Sequence, residues 1–488
     1  MSDENHFDVL IVGAGLSGIG AAYHLQTRCP TKRYAILESR PRLGGTWDLH
    51  RYPGIRSDSD MYTLGYSFRP WKSPKAIADG PSILAYIRET AEENGIDRHI
   101  RFGRRVERAR WSSERALWTL DVRDLATDAV DTYTCRFLYA CAGYYDMDKG
   151  HTPEWPDFAR FEGRVVHPQH WPDDLDYAGK RVVVIGSGAT AVTLVPAMAE
   201  RAAHVTMLQR TPTYVFSLPA EDRIANWLRA TVGPDVAYDV TRWKNVMVNM
   251  AFYNFCQRFP DQARRFLVGQ AARHLGSREA AQDFAAPYKP WDQRLCAVPD
   301  ADLFDAIKAG RASVVTDHIK RFTPTGLELE SGRSLDADIV VTATGFNLKF
   351  LGGIAIEVDG ETIEASKLMA YKGMMFSDLP NLAVAIGYTN SSWTLKCDLT
   401  CEYVCRILNH MDARGYDQCR PHNSDPSVRE EPLLNFGAGY VKRALDRFPK
   451  QGSARPWRVY QNYLLDRLAL RNQQLEDGVL RFSKGAPA

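Results

Sequence analysis

Phe7-Asp8-Val9-Leu10-Ile11-Val12-Gly13-Ala14-Gly15-Leu16-Ser17-Gly18 is the stretch on which the fold turns. Its first half is short, apolar and β-rich, which predicts a buried parallel strand. The glycines follow at once, and Ile19 to Leu25 then carries a helical pattern. A second β-rich run, Tyr34 to Leu37, ends at Glu38, twenty residues after Gly18. Strand, glycine turn, helix and acid in that order make a dinucleotide-binding unit. Gly13 permits the tight turn, Gly15 lets backbone approach a pyrophosphate, and Gly18 lets helix pack on strand. The helix N-terminus attracts the phosphate charge. Glu38 stands where it can accept hydrogen bonds from ribose hydroxyls.

The same arrangement recurs mid-chain. Arg181 to Ile185 leads into Gly186-Ser187-Gly188-Ala189-Thr190-Ala191, and a further β run, His204 to Gln209, ends at Arg210-Thr211. Gly186, Ser187, Gly188, Thr190 and Thr211 are the candidate phosphate-side residues here. Val182 to Ala199 holds 18 residues without a charge, near the minimum for a membrane span, but it reads better as strand, turn and helix start. The strand-end residue differs between the units. Glu38 would repel a 2′-phosphate, whereas the Arg210 guanidinium can clamp one with paired hydrogen bonds. The first unit therefore suits FAD and the second NADPH. Two further strands that end in small residues, Phe137 to Gly143 and Asp338 to Phe346, fit a chain that returns to its first domain.

Composition narrows the rest. Lys plus Arg number 61 and Asp plus Glu 59, a net charge of +2, so there is no electrostatic footprint for nucleic acid. The 9 cysteines include no CxxC pair, which points to free thiols in a reducing compartment. No redox CxxxxC pair follows the first turn, which counts against a disulfide reductase. The acidic start lacks the basic region of a signal peptide, so a cytoplasmic chain is expected. Cys397, Cys401 and Cys405 recur every four residues, a buried helical stripe of small hydrophobes more than a metal site. His167 and His170 form a HxxH pair that fits no zinc pattern, and no metal is expected.

Two longer patterns give the chain a family likeness. Phe161, Gly163, His167, Trp171 and Pro172 fit FxGxxxHxxxW[P/D]. Gly44, Gly45, Trp47, Tyr52, Pro53, Gly54 and Asp58 fit [A/G]GxWxxxx[F/Y]P[G/M]xxxD. With both nucleotide units, the chain resembles the class I Baeyer–Villiger flavoprotein monooxygenases. Gly44 to Asp48 and Trp291-Asp292-Gln293-Arg294-Leu295 look most like their ethionamide-activating subgroup. The resemblance implies an enzyme that uses FAD, NADPH and O2 to turn small apolar ketones into esters or lactones, with oxidation of sulfur-containing substrates beside it. It maps the catalytic arginine to Arg294 and its orienting acid to Asp58, with Gly45 and Trp47 beside the flavin. A fixed guanidinium is the right group to stabilise the negative charge that oxygen transfer develops. Phe161, Gly163, His167 and Trp171 map to a linker that couples domain movement. A flavin-dependent N- or S-oxygenase lacking ketone activity, and a non-catalytic redox sensor, are the competing readings.

The expected architecture is α/β, with two Rossmann-like dinucleotide-binding domains and an inserted helical subdomain. Residues 1–145 and 341–488 would form the FAD domain in two parts. Residues 146–211 hold the linker and the first part of the NADP domain, 291–340 its second part, and 212–290 the helical insertion. In that insertion Trp243, Met247, Met250 and Phe252 are interleaved with Arg242, Lys244 and Arg258. A packed lobe with a basic rim is the plain reading, and peripheral contact with a membrane surface the sharper one. The sequence leaves the oligomeric state open.

Overall fold

The computed structural model describes residues 3–293, 295–434 and 437–485. Among them the first sheet has nine strands. Eight run in the order Glu361–Thr362, Ala355–Val358, Arg104–Ser112, Leu117–Asp124, Val130–Ala140, His6–Val12, Tyr34–Leu37 and Ile100–Arg101, and Leu382–Val384 pairs with Val130–Ala140. The inner strands are parallel, with Val12 opposite Leu37 on one side and Ala140 on the other. The chain moves outward from His6–Val12 in one direction and returns on its opposite side. Strand order reverses there, and a crevice opens beyond the carboxyl ends. Helix Leu16–Arg28 covers one face together with Trp393–Arg414. Both faces are covered, so Val9, Leu10 and Ile11 are all fully buried, as a continuous apolar strand requires.

The second sheet is wholly parallel, in the order Ala312–Thr316, His204–Gln209, Arg181–Ile185, Ile339–Thr342 and Arg164–Val166. Its last strand revises the sequence reading of residues 161–172 as linker throughout. The β-branched Val165 and Val166 pair in parallel with Val340 and Val341, so the first part of that segment closes the sheet edge. The chain passes between the sheets twice. The two passages, Tyr145–Gly150 and Phe346–Leu348, pair antiparallel as a short ribbon.

Helices Arg223–Val232, Pro234–Arg258 and Pro260–Leu275 form a lobe. Its anchor is Arg242, a buried guanidinium whose Nη1 donates to the carbonyls of Tyr62 at 2.7 Å and Gly65 at 2.8 Å. Arg242 Nη2 also lies 3.5 Å from the Asp398 carboxylate. Burial would raise the Asp398 carboxyl, but His24 and Arg242 hold it below its ordinary range. On the same Trp393–Arg414 helix, Cys397, Cys401 and Cys405 are buried. Among the described residues no helix is long and apolar enough to cross a membrane.

Candidate functional site

The site begins where backbone presses on backbone. Gly13 has φ +100°, and a Cβ on it would fall 2.8 Å from the Cys141 carbonyl oxygen. A Cβ on Gly18 would lie 1.9 Å from the Gly13 carbonyl oxygen, so a side chain there would part helix from turn. Gly15 faces Gly45: a Cβ built on Gly45, at φ +55°, would stand 3.1 Å from Gly15 Cα. The Gly44 amide donates to the Ala14 carbonyl at 3.0 Å. The two glycine segments thus make one thin floor. Helix Leu16–Arg28 starts on Gly15 with no side-chain cap, which leaves its first amides for an anion.

Glu38 braces this turn. Its carboxylate accepts from the Ala14 amide at 2.7 Å and the Arg40 amide at 2.8 Å. Burial pushes its pKa up, and those two amides oppose the shift. The second turn repeats the geometry in part. A Cβ on Gly186, at φ +134°, would come within 2.3 Å of the Ala343 carbonyl oxygen, whereas Gly188 has open space around it. Helix Ala189–Met198 also starts on glycine without a side-chain cap. The Ser187 hydroxyl meets the Thr213 hydroxyl at 2.7 Å and donates to the Thr211 carbonyl at 3.4 Å. Arg210 is exposed at the end of its strand. Thr213 was not foreseen; a Thr-x-Thr pair after a strand gives little signal of its own.

A cavity of about 380 Å³ joins the two units. Gly13, Gly15, Glu38, Gly45, Trp47 and Asp58 line it, and Thr190 with Ala297 closes it from the second unit. Gly18 lies beneath the turn; Gly186, Ser187, Gly188, Arg210 and Thr211 are not among the lining residues. Arg56, two residues before Asp58, forks onto Asp302 of the second unit, one contact at 3.2 Å. Sequence reasoning missed His50, Tyr145, Phe346 and Tyr388, which also line the cavity; isolated aromatic and histidine residues carry no spacing signal. Ser391 and Trp393 line it as well.

Arg294 lies outside the described residues. Its surroundings are informative all the same. Trp291 holds φ +74°, a strained conformation for a bulky residue. The Asp292 carbonyl accepts from the Gly437 amide at 2.8 Å, and Leu295 is buried.

The hallmark segment makes no part of the cavity wall. Phe161 is buried against Phe322, and a Cβ on Gly163 would meet the Phe161 ring at 2.4 Å. His167 Nδ1 accepts from the Gln169 amide at 3.2 Å and caps a short turn. Trp171 is half-buried against the second core. Among the described residues no group of three or more His, Cys, Asp or Glu is placed to hold a metal.

Comparison with known proteins agrees with this geometry. A family model for flavin-binding monooxygenase-like proteins matches residues 72–411, and one for an NAD(P)-binding Rossmann-like domain matches 11–76. The chain is 53% identical over 481 residues to the FAD-containing monooxygenase EthA of Mycobacterium tuberculosis (strain CDC 1551 / Oshkosh), covering 98% of each. It is 47% identical over 483 residues to the probable FAD-binding monooxygenase AlmA of Acinetobacter baylyi, covering 99% of this chain and 97% of that one. An oxidized steroid monooxygenase bound to NADP superposes with TM-score 0.77 at 22% identity, over 98% of this chain and 100% of the other. An open cyclohexanone monooxygenase gives 0.78 at 19%, with the same coverage. These structures share the fold.

The two glycines of the second turn should part company on mutation. Gly186→Ala forces a Cβ onto backbone and is expected to cost about 3 kcal/mol in thermal unfolding. Gly188→Ala should cost under about 1 kcal/mol and reveal itself only in weaker binding of a phosphate-bearing ligand. Equal losses of stability in both variants would contradict this division.

Proposed function

The chain belongs to the flavin-binding monooxygenase-like family, and from that premise we propose an FAD- and NADPH-dependent monooxygenase of Baeyer–Villiger type. It inserts one atom of O2 into a small apolar ketone to give an ester or lactone, the other atom leaving as water at the expense of NADPH and a proton. Thioethers and thioamides are its second substrate class. The observation that carries the reading is the single cavity reaching from the first turn to the second. Two nucleotides that share one enclosed space can exchange electrons directly, which an N-terminal fold with one site could not arrange.

The residues fit both groups. Uncapped helix starts at Gly15 and Gly188 offer amides to pyrophosphates. Glu38, beside the first turn, suits an unphosphorylated ribose, and exposed Arg210 suits the extra phosphate of NADPH. Gly45 and Trp47, both in the cavity lining, would form the wall next to the flavin. Flavin, when bound and reduced, supplies the activation of O2. Arg294 then holds negative charge at the reacting centre, and Ala297, three residues on, already lines the cavity. Asp58 in that wall orients the guanidinium. The rings of Phe346 and Tyr145, 4.8 Å apart in the wall, offer apolar surface to such a substrate.

Incubation of the holoenzyme with NADPH, labelled O2 and a simple ketone should yield ester carrying one labelled oxygen. Sulfoxide from a thioether with no ester from any ketone would favour the N- or S-oxygenase reading. Arg294→Ala should lower ester formation by about 100-fold or more, while NADPH still bleaches the flavin. Arg210→Ala should raise KM for NADPH by about 10- to 100-fold and leave KM for NADH unchanged; a parallel rise for both would remove Arg210 from phosphate recognition.

The lobe extends the reading to a membrane surface. Trp227, Val236, Val240, Trp243 and Met247 are exposed along two consecutive helices, with exposed Arg223, Arg258, Arg264 and Arg265 around them. An apolar stripe with cationic flanks suits the interface of an anionic bilayer. The holoenzyme should float with anionic vesicles, and Trp227→Ser with Trp243→Ser should release it. Equal flotation of the variant, or a face consumed by self-association instead, would defeat the assignment.

A further inference from the structure

The tract from Gly45 to Asp58 touches both nucleotide units. Gly45 stands over Gly15 at the first turn. Further along, the chain enters the second unit. Tyr52 is buried within the second unit's core, and Ile55 packs against it. Between them Gly54 holds φ +75°, and a Cβ there would stand 2.7 Å from the Ala197 Cβ and 2.9 Å from the Thr193 carbonyl oxygen. Both partners belong to helix Ala189–Met198, which begins at the second turn. Tyr52, Ile55 and Thr193 also line the cavity, so the seam between the units runs through its wall.

Arg56 ends this docking tract. Its backbone is fixed to the first unit on both sides. The Gly80 amide donates to the Ile55 carbonyl at 2.8 Å, and the Ser57 amide donates to the Ala78 carbonyl at 3.0 Å. The side chain crosses to the second unit. Nη1 and Nη2 donate to the two carboxylate oxygens of Asp302, the second contact at 3.2 Å. Asp302 is itself held, because it opens helix Asp302–Lys308 and its Oδ1 accepts from the Leu303 amide at 2.7 Å. The Arg56 side chain is 13% exposed and that of Asp302 31%, an enclosure that weakens screening by salt.

Apolar contact has no preferred direction, so Tyr52 and Ile55 can slide on the second core. A two-point guanidinium–carboxylate fork fixes orientation as well as distance. Loss of either partner leaves the other charge enclosed and unpaired. The fork therefore selects one setting of the two units. That setting matters to the chemistry. The hydride that leaves NADPH, giving NADP+, must reach a flavin held by the other unit, and a misplacement of ~1 Å can cost about 100-fold in rate.

We propose that Arg56 is a positioning residue for the transfer between the two nucleotides: paired with Asp302, it sets how the second unit seats on the first. This rests on the two-nucleotide reading above.

Two readouts test it on the FAD-loaded protein. With no substrate present, hydrogen exchange should be about tenfold faster at the amides of residues 52–56 and 189–198 in Arg56→Met and in Asp302→Asn, and unchanged at residues 13–18. On anaerobic mixing with saturating NADPH, each variant should bleach its flavin about tenfold more slowly. The double variant should be no slower than either single one, because the same fork is lost in all three. Flavin content and the affinity for 2′,5′-ADP, which occupies the second unit alone, should not change. Arg56→Lys, which keeps the charge without the fork, replaces Arg56→Met where the latter does not fold. A wild-type value in either readout overturns the inference. Additive losses in the double variant overturn it too, by giving each residue a separate task. So does loss of flavin or of 2′,5′-ADP affinity, which would place Arg56 in a nucleotide site. A wild-type protein whose flavin NADPH does not bleach refutes the parent reading instead, so the two failures are distinct.

Discussion

Everything in this molecule depends on two stretches of main chain lying closer than side chains would allow. At the first turn the Gly13 carbonyl, the Cys141 carbonyl and the Gly15–Gly45 contact all occupy space that a Cβ would fill. Such contact leaves few atoms between the helix start and whatever lies on the far side of the floor. Amides at the N-terminus of Leu16–Arg28 therefore face the cavity at short range, where their partial positive charge is strongest. A substitution that thickens the floor would move the ligand, the helix or the Gly44–Gly45 tract, and these three are what define the site.

The second unit repeats the design with a looser fit. Gly186 is as constrained as Gly13, but Gly188 has room and its helix start is exposed. The difference suits a tightly held prosthetic group on one side and a ligand that comes and goes on the other. Enclosure follows the same division. Glu38 is buried and bonded to two amides, whereas Arg210 is open to solvent. A buried carboxylate is tolerable where a turn needs bracing, and an exposed guanidinium keeps its rotamer freedom.

Much of this was legible because phosphate turns are written in local sequence. The strands Tyr34–Leu37, Arg181–Ile185 and His204–Gln209 fall at the residues that the alternation of apolar runs and glycines predicts. What escaped is long-range. The Arg56–Asp302 pair, the Arg242 anchor and the ribbon of Tyr145–Gly150 with Phe346–Leu348 join residues far apart in the chain. No spacing rule reports such contacts. His50 escaped for another reason: a lone histidine after a tryptophan turn reads as nothing until the fold brings it to the cavity wall.

The hallmark segment shows how a diagnostic pattern can be structural in most of its letters. Phe161 fills the small core between the second sheet and the hairpin that carries Phe322. Gly163 is the place where that ring and the Asp338 carbonyl leave no room for a side chain. Val165 and Val166 then add the edge strand, and His167 seals the turn that follows while packing on Gly150 of the ribbon. A Cβ on Gly150 would strike the His167 ring at 2.0 Å, so ribbon and turn cannot separate independently. The pattern therefore fixes the distance between the inter-sheet connection and the sheet edge. Because Tyr145 and Phe346 of that ribbon also line the cavity, that fixed distance reaches the cavity wall, and a domain shift at the ribbon must alter the site itself.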